Sequence, residues 1–254
     1  VDADPGQLSG HRALIDFGHS EYWSAREAAG FAYARDHGTS LLFLGSDTLA
    51  WRIRFARASR GAGDPGAPDQ AIVAYKQFAA RDPNRSRPTG QFPGGGAAIT
   101  GSAYLGCITP RLPRRGPPSY RYYAWIPQPG LRPAWLFAHT GMSDRRAIPG
   151  IVGYELDART ALSPPATDVL GGGAAACMRA EPGEPAPPIG EHAAQTTLYT
   201  APSGALVFNS GTLGWELGLE PVPSASPYAP RRPNPHLVTM TRNLLAHVLA
   251  RRPR

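Results

Sequence analysis

The hydrophobic pattern at the start of the chain predicts a strand, a helix and a second strand in quick succession. Arg12 to Phe17 (RALIDF) reads as a short buried strand, and Ser40 to Leu44 (SLLFL) as a fully apolar one. Between them, Ser24 to about His37 places Ala28, Ala29, Ala32 and Tyr33 on one helical face, with Gly38 as the stop. Ser24 and Glu27 have capping-box spacing and open that helix. Strand, helix and strand with short links form a βαβ unit, so the two strands are expected to be parallel and the crossover right-handed.

From Ala71 the period changes. Short alternating segments (AIVAYKQF, SAYLGCI, YRYYAWIP, AWLFAHTG and GIVGYEL) are separated by Pro/Gly-rich turns and read as strands. Thr196 to Ala201 and Ala205 to Phe208 flank Pro202-Ser203-Gly204 as a hairpin. A last helix begins after Asn234-Pro235, with Leu237, Thr241, Leu244, Leu245, Val248 and Leu249 at helical spacing. Residues 1–70 are therefore expected to be an α/β core segment, 71–194 a β-rich, sandwich-like insertion, and 195–254 a hairpin and helix returning to the core. A parallel layer of two clear strands and one crossover helix is thin for a doubly wound domain. The core is expected to be N-terminally incomplete, with part of it upstream.

Composition narrows the classes. At 254 residues the chain can bury a sizeable core, and its Gly 29 and Pro 28 indicate many turns. The net charge of +7 comes from scattered arginines and a basic tail (Arg251, Arg252, Arg254), without a basic helix carrying interleaved aromatics, so no nucleic-acid partner is expected. No apolar run reaches membrane-spanning length, and the default is a soluble cytoplasmic enzyme. Cys107 and Cys177 offer no zinc spacing, although one bridge between them is open. The run Arg57 to Pro68 and the stretch Pro182 to Ile189 read as loops, and GAGDPG within the first lacks the strand-and-helix context of a dinucleotide fingerprint.

Candidate chemistry concentrates in Gly18-His19-Ser20-Glu21-Tyr22-Trp23, which loads an imidazole, a carboxylate and a phenol into one loop at a strand's carboxyl end. A mononuclear metal site would use the Glu21 oxygen, the Tyr22 phenolate or the His19 imidazole, and the hard oxygen ligands favour an iron(III)-like cation, against the simpler reading that Tyr22 and Trp23 pack under the sheet. Asp47, after the second strand, is expected to project near His19 and Glu21. Glu155, within Tyr154-Glu155-Leu156, is either on a solvated strand face or a buried general acid/base. Cys107 reads as a structural thiol or, in a rival scheme, the nucleophile of a thiol-dependent amidotransferase. His139 and Asn209 to Thr212 either line a site or cap turns, and Tyr120, Tyr122, Tyr123 and Trp125 are strand core or a sugar-stacking face.

GHSEYWS, LLFLGSDTLAWRIRF, GIVGYELD, ALVFNSGTLGWELGL and TRNLL, in this order, resemble the catalytic region of the large (beta) subunit of the N,N-dimethylformamidase family. The resemblance implies a class-I glutamine-amidotransferase-like (flavodoxin-like) α/β core and a ferric-iron hydrolase of a small amide. It implies Glu21 as the metal ligand, His19 beside the metal, and Glu155 as an activator of water. Position 47, Asn in the relatives, is Asp47 here. The family's two tyrosine ligands lie upstream of the loop motif, where this chain has no tyrosine, so they are expected from sequence outside it. The expected partners are a small amide substrate and a second chain or N-terminal segment, in a homo- or hetero-oligomer. A non-catalytic accessory subunit is the alternative.

Overall fold

A computed structural model describes residues 1–57, 70–112, 119–178, 191–221 and 232–251. The strands in chain order are β1 (Ala13–His19), β2 (Tyr22–Ser24), β3 (Ser40–Ser46), β4 (Trp51–Arg57), β5 (Gln70–Val73), β6 (Gly90–Gln91), β7 (Ala103–Ile108) and β8 (Arg111–Leu112). They continue as β9 (Ser119–Tyr120), β10 (Tyr123–Pro127), β11 (Ile148–Val152), β12 (Glu155–Ala158), β13 (Asp168–Ala176), β14 (Glu191–Thr200) and β15 (Leu206–Asn209). The helices are α1 (Ala25–Asp36), α2 (Ala97–Thr100), α3 (Ala134–Phe137), α4 (Gly214–Leu217) and α5 (Pro235–Ala250).

Seven strands form one sheet in the order β1-β3-β15-β14-β13-β10-β11. Its first ladder is the βαβ unit read from the sequence: β1 pairs β3 in parallel from Ala13↔Ser40 to His19↔Ser46, with α1 as the crossover. The capping box is made on both sides, Ser24 Oγ accepting from Glu27 N and Glu27 Oε2 from Ser24 N. β15 adds a second parallel ladder to β3, and every later pairing in the sheet is antiparallel.

That ordering overturns the flavodoxin-like expectation. The protein is β-rich with a mixed, half-barrel sheet, and β10, β11, β13 and β14 extend the same sheet that β1 and β3 begin, where a sandwich-like insertion was expected. A parallel neighbour needs a helix-length crossover. Between β10 and β15 the only described helix is the four-residue α3, so those strands return antiparallel. Two segment readings also change. AWLFAHTG contains α3, and AIVAYKQF is strand only to Val73 before a 3-10 turn at Lys76–Arg81. The GAGDPG run and the Pro182 to Ile189 loop lie outside the described residues.

Alternation across the sheet divides the core. Leu41, Phe43 and Val207 pack with Trp23 and Ala28, while Leu42, Leu44 and Phe208 pack with Trp215, Leu237, Met240 and Leu244. With both faces covered, β3 needs no polar alternation, which explains SLLFL. α5 starts where Asn234 accepts from His236 N and Leu237 N. β1 is the sheet's edge, with Ile15 46% and Phe17 56% exposed. A Cys107–Cys177 disulfide, Cα–Cα 5.1 Å, ties β7 to the residue after β13. Among the described residues, no helix is long and apolar enough to cross a membrane.

Candidate active site

The carboxyl ends of the three parallel strands, His19, Ser46 and Asn209, meet at one rim of the sheet. Parallel sheets present ligand sites at this edge because every strand there ends in a loop. The loops after β1 and β3 are stitched together: Leu49 N donates to Ser20 O at 2.9 Å and Trp51 N to Glu21 O at 2.9 Å. β12, paired with β7 outside the main sheet, is buried along its whole length and lies against this rim. Ser46 Oγ donates to Glu155 O at 2.8 Å, which fixes the start of β12 beside the end of β3.

His19 and Glu155, 136 positions apart in the chain, thereby come into contact. His19 Nε2 lies 3.4 Å from Glu155 Oε2, with side-chain exposures of 32% and 8%. Burial pushes the imidazole pKa below its ordinary value, so His19 is neutral near pH 7. The His19 ring also packs on Tyr154, centroids 5.0 Å apart, and Tyr154 in turn stacks on Tyr120 at 4.1 Å. Glu155 is thus a buried acid, not a residue of a solvated face.

Asp47 is nearly fully buried in the turn after β3, at φ 55 in the left-handed region that favours glycine. Its backbone N–H donates to Asp157 Oδ1 at 2.7 Å, and Asn209 Nδ2 donates to Asp157 Oδ2 at 3.3 Å. Asp157 is fully buried, and burial raises its pKa to about 7 despite the amides of Asp47 and Thr48 and the Asn209 side chain, which pull it down. Asn209 Oδ1 accepts from Gly211 N at 2.8 Å, and Asp157 N donates to Gly211 O at 3.0 Å. The Asn209 to Thr212 segment is therefore turn-forming, and it holds the floor of the rim.

Glu21 sits two residues beyond His19 and faces Lys76, Oε1 to Nζ 3.3 Å. The same ammonium donates to Tyr22 OH at 3.1 Å and lies 5.0 Å from the centre of the Trp51 ring. Tyr22 is 45% exposed, unlike Trp23, which packs in the core and donates to Ser20 O at 2.6 Å. Partial burial raises the Tyr22 pKa above its ordinary value, so it remains a phenol at neutral pH. These residues do not by themselves fit a ferric ion: one carboxylate faces an ammonium, the nearby phenol keeps its proton, and no group of three or more His, Cys, Asp or Glu that could hold a metal occurs among the described residues.

Lys76 and Asp157 were missed in the sequence reading. Asp157 follows Glu155 at the same-face spacing of a strand, and Lys76 is the only lysine among 26 basic residues. Other candidates fall away from the rim. Cys107 is disulfide-bonded, which removes the thiol nucleophile of the amidotransferase scheme. Trp125 is fully buried and donates to Thr196 Oγ1, so with Tyr120 stacked on Tyr154 the aromatic run is packing. Phe208 and Trp23 belong to opposite core layers and cannot line one cavity, while Trp51 lies under Lys76. A cavity of about 470 Å³ lies at the other end of the strands, lined in part by Arg12, Ser40 and Arg251.

A family model described as N,N-dimethylformamidase beta subunit-like, C-terminal, matches residues 1–229. The chain belongs to this family. The dimethylformamidase-like match spans β1 to α4 and so includes His19, Glu21, Asp47, Lys76, Glu155 and Asp157. No curated protein matches the chain.

Proposed function

We propose that this dimethylformamidase-like chain carries the hydrolytic residues of an enzyme that cleaves a small amide. The observation that carries the reading is the contact of a neutral His19 with the buried Glu155 at the rim of the parallel strands. A water hydrogen-bonded to this pair loses a proton to it and attacks the amide carbon. His19 then delivers a proton to the departing nitrogen, the C–N bond breaks, and a carboxylic acid and an amine leave. Asp47, its amide anchored on Asp157, stands in the turn after β3 at the same rim, and Lys76 places a positive charge beside the loop.

Release of ammonia or amine from formamide, N-methylformamide and acetamide tests the reading. His19→Gln and Glu155→Gln are each expected to lower kcat/KM by about 10²–10⁴-fold with an unchanged fold. Full turnover in either variant would overturn it. The accessory-subunit alternative has no observation in its favour, whereas the His19–Glu155 pair argues for chemistry.

Iron is a separate proposal. Glu21 would be this chain's ligand, with Lys76 displaced and two tyrosines supplied by sequence outside this chain. Stoichiometric iron that disappears in Glu21→Ala supports it, and iron retained in that variant removes Glu21 from the role.

A further inference from the structure

Another cavity, about 160 Å³, lies beside the start of α1 and strand β4, lined in part by Asp2, Ser24, Arg26, Arg52, Arg54 and Arg87. Arg52 and Arg54 are two apart on β4 and share a face. Arg26 lies in the first turn of α1, whose amides add partial positive charge. Arg87 comes from the loop after the Lys76–Arg81 turn.

Arg54 and Arg26 have partners, whereas among the described residues Arg52 Nε has none. Arg54 Nη1 is paired with Asp82, and Arg26 Nη2 donates to Ala3 O at 3.2 Å. Ser24 Oγ donates to Asp2 Oδ1, which brings a carboxylate of the chain itself to the start of α1. Arg52 Nε is shut off from solvent, and among the described residues no acceptor meets it. A buried donor left without an acceptor is costly, most of all on a charged group. Four arginines line the cavity against three nearby carboxylates, Asp2 in the lining, Asp82 on Arg54 and Glu27 on the Ser24 amide, which leaves one positive charge in excess.

We propose that this cavity is a binding site for a dianionic oxyanion, inorganic phosphate or the phosphoryl group of a small phosphomonoester, held by the lining arginines, with Arg52 and Arg87 foremost because among the described residues neither is paired with a carboxylate. Guanidinium forks match the oxygens of such a group and form charge-assisted hydrogen bonds with it. The volume equals about five waters, enough for a tetrahedral oxyanion and too little for a nucleotide. Asp2 is the chain's own occupant of the helix-start position and weakens the site by repulsion.

Calorimetric titration of the whole chain with inorganic phosphate at low ionic strength tests this. Saturable one-to-one binding is expected, with sulfate within about three-fold and monoanionic acetate at least about ten-fold weaker. Arg52→Met and the loop variant Arg87→Ala should each raise Kd by about ten-fold or more, and Asp2→Asn should lower it. Absence of saturable binding, unchanged Kd in both arginine variants of native circular dichroism, or acetate binding as tightly as phosphate would overturn the proposal.

Discussion

The parallel edge of the sheet and its antiparallel remainder are built by different rules. In β1, β3 and β15 all strands run the same way, so their loops gather at one rim and supply His19, Asp47 and Asn209. In β14, β13, β10 and β11 neighbouring strands alternate direction, and the space between them is set by small residues. Gly171, Gly172 and Gly173 allow β13 to pass within contact of Trp125, Ala194 and Ala124. One part concentrates polar groups and the other excludes side chains. Chemistry and scaffold can therefore be perturbed separately.

The largest expected effect is on the scaffold. A Cβ on Gly172 would lie 1.9 Å from Ala194 O, so Gly172→Ala should cost about 3–5 kcal/mol in urea unfolding. Gly45→Ala, 2.2 Å from Gly18 O, makes the matching lesion in the parallel ladder. A much smaller loss at Gly172 would show that the antiparallel part yields more easily than the contrast implies. Next, Cys107→Ala with Cys177→Ala removes the β7–β13 tie and should cost about 2–4 kcal/mol without altering any residue at the rim.

A smaller effect with a pH signature is expected at the rim's floor. Asp157→Asn turns one acceptor toward the Asp47, Thr48 and Asn209 donors into an amide and should cost about 1–3 kcal/mol near pH 7. The Asp157 pKa is raised to about 7, above the ordinary carboxyl value. Its contribution is therefore fully present at acid pH and is lost as pH rises through about 7. Denaturation midpoints at pH 4.5 and 7.5 should show this loss in the wild type and a flatter profile in Asp157→Asn. The smallest change is expected for Ser24→Ala, which removes half the capping box and should cost about 1 kcal/mol in the same assay.

Local signals were legible wherever a few adjacent residues decide the outcome. The capping box, the Gly38 stop, the apolar β3 run, the β14–β15 hairpin and the last helix follow their local patterns, that helix starting at Pro235 with Asn234 as its cap. The loop at His19 to Trp23 was visible as polar chemistry at a strand end, and Glu155 as a carboxylate in an apolar segment. Whether Glu155 was solvated or buried was not visible, because that depends on β7 and the β3 turn covering β12.

The sequence by itself determined the βαβ unit, the terminal helix and family membership, since each rests on periodicity or on contiguous motifs. Only the tertiary structure decided the mixed sheet, because strand direction follows from how connections close in space and not from alternation along the chain. Only the tertiary structure, too, joined His19 to Glu155, Lys76 to Glu21 and Asp157 to Asp47, contacts between residues distant in the chain whose energies depend on burial that no local pattern encodes.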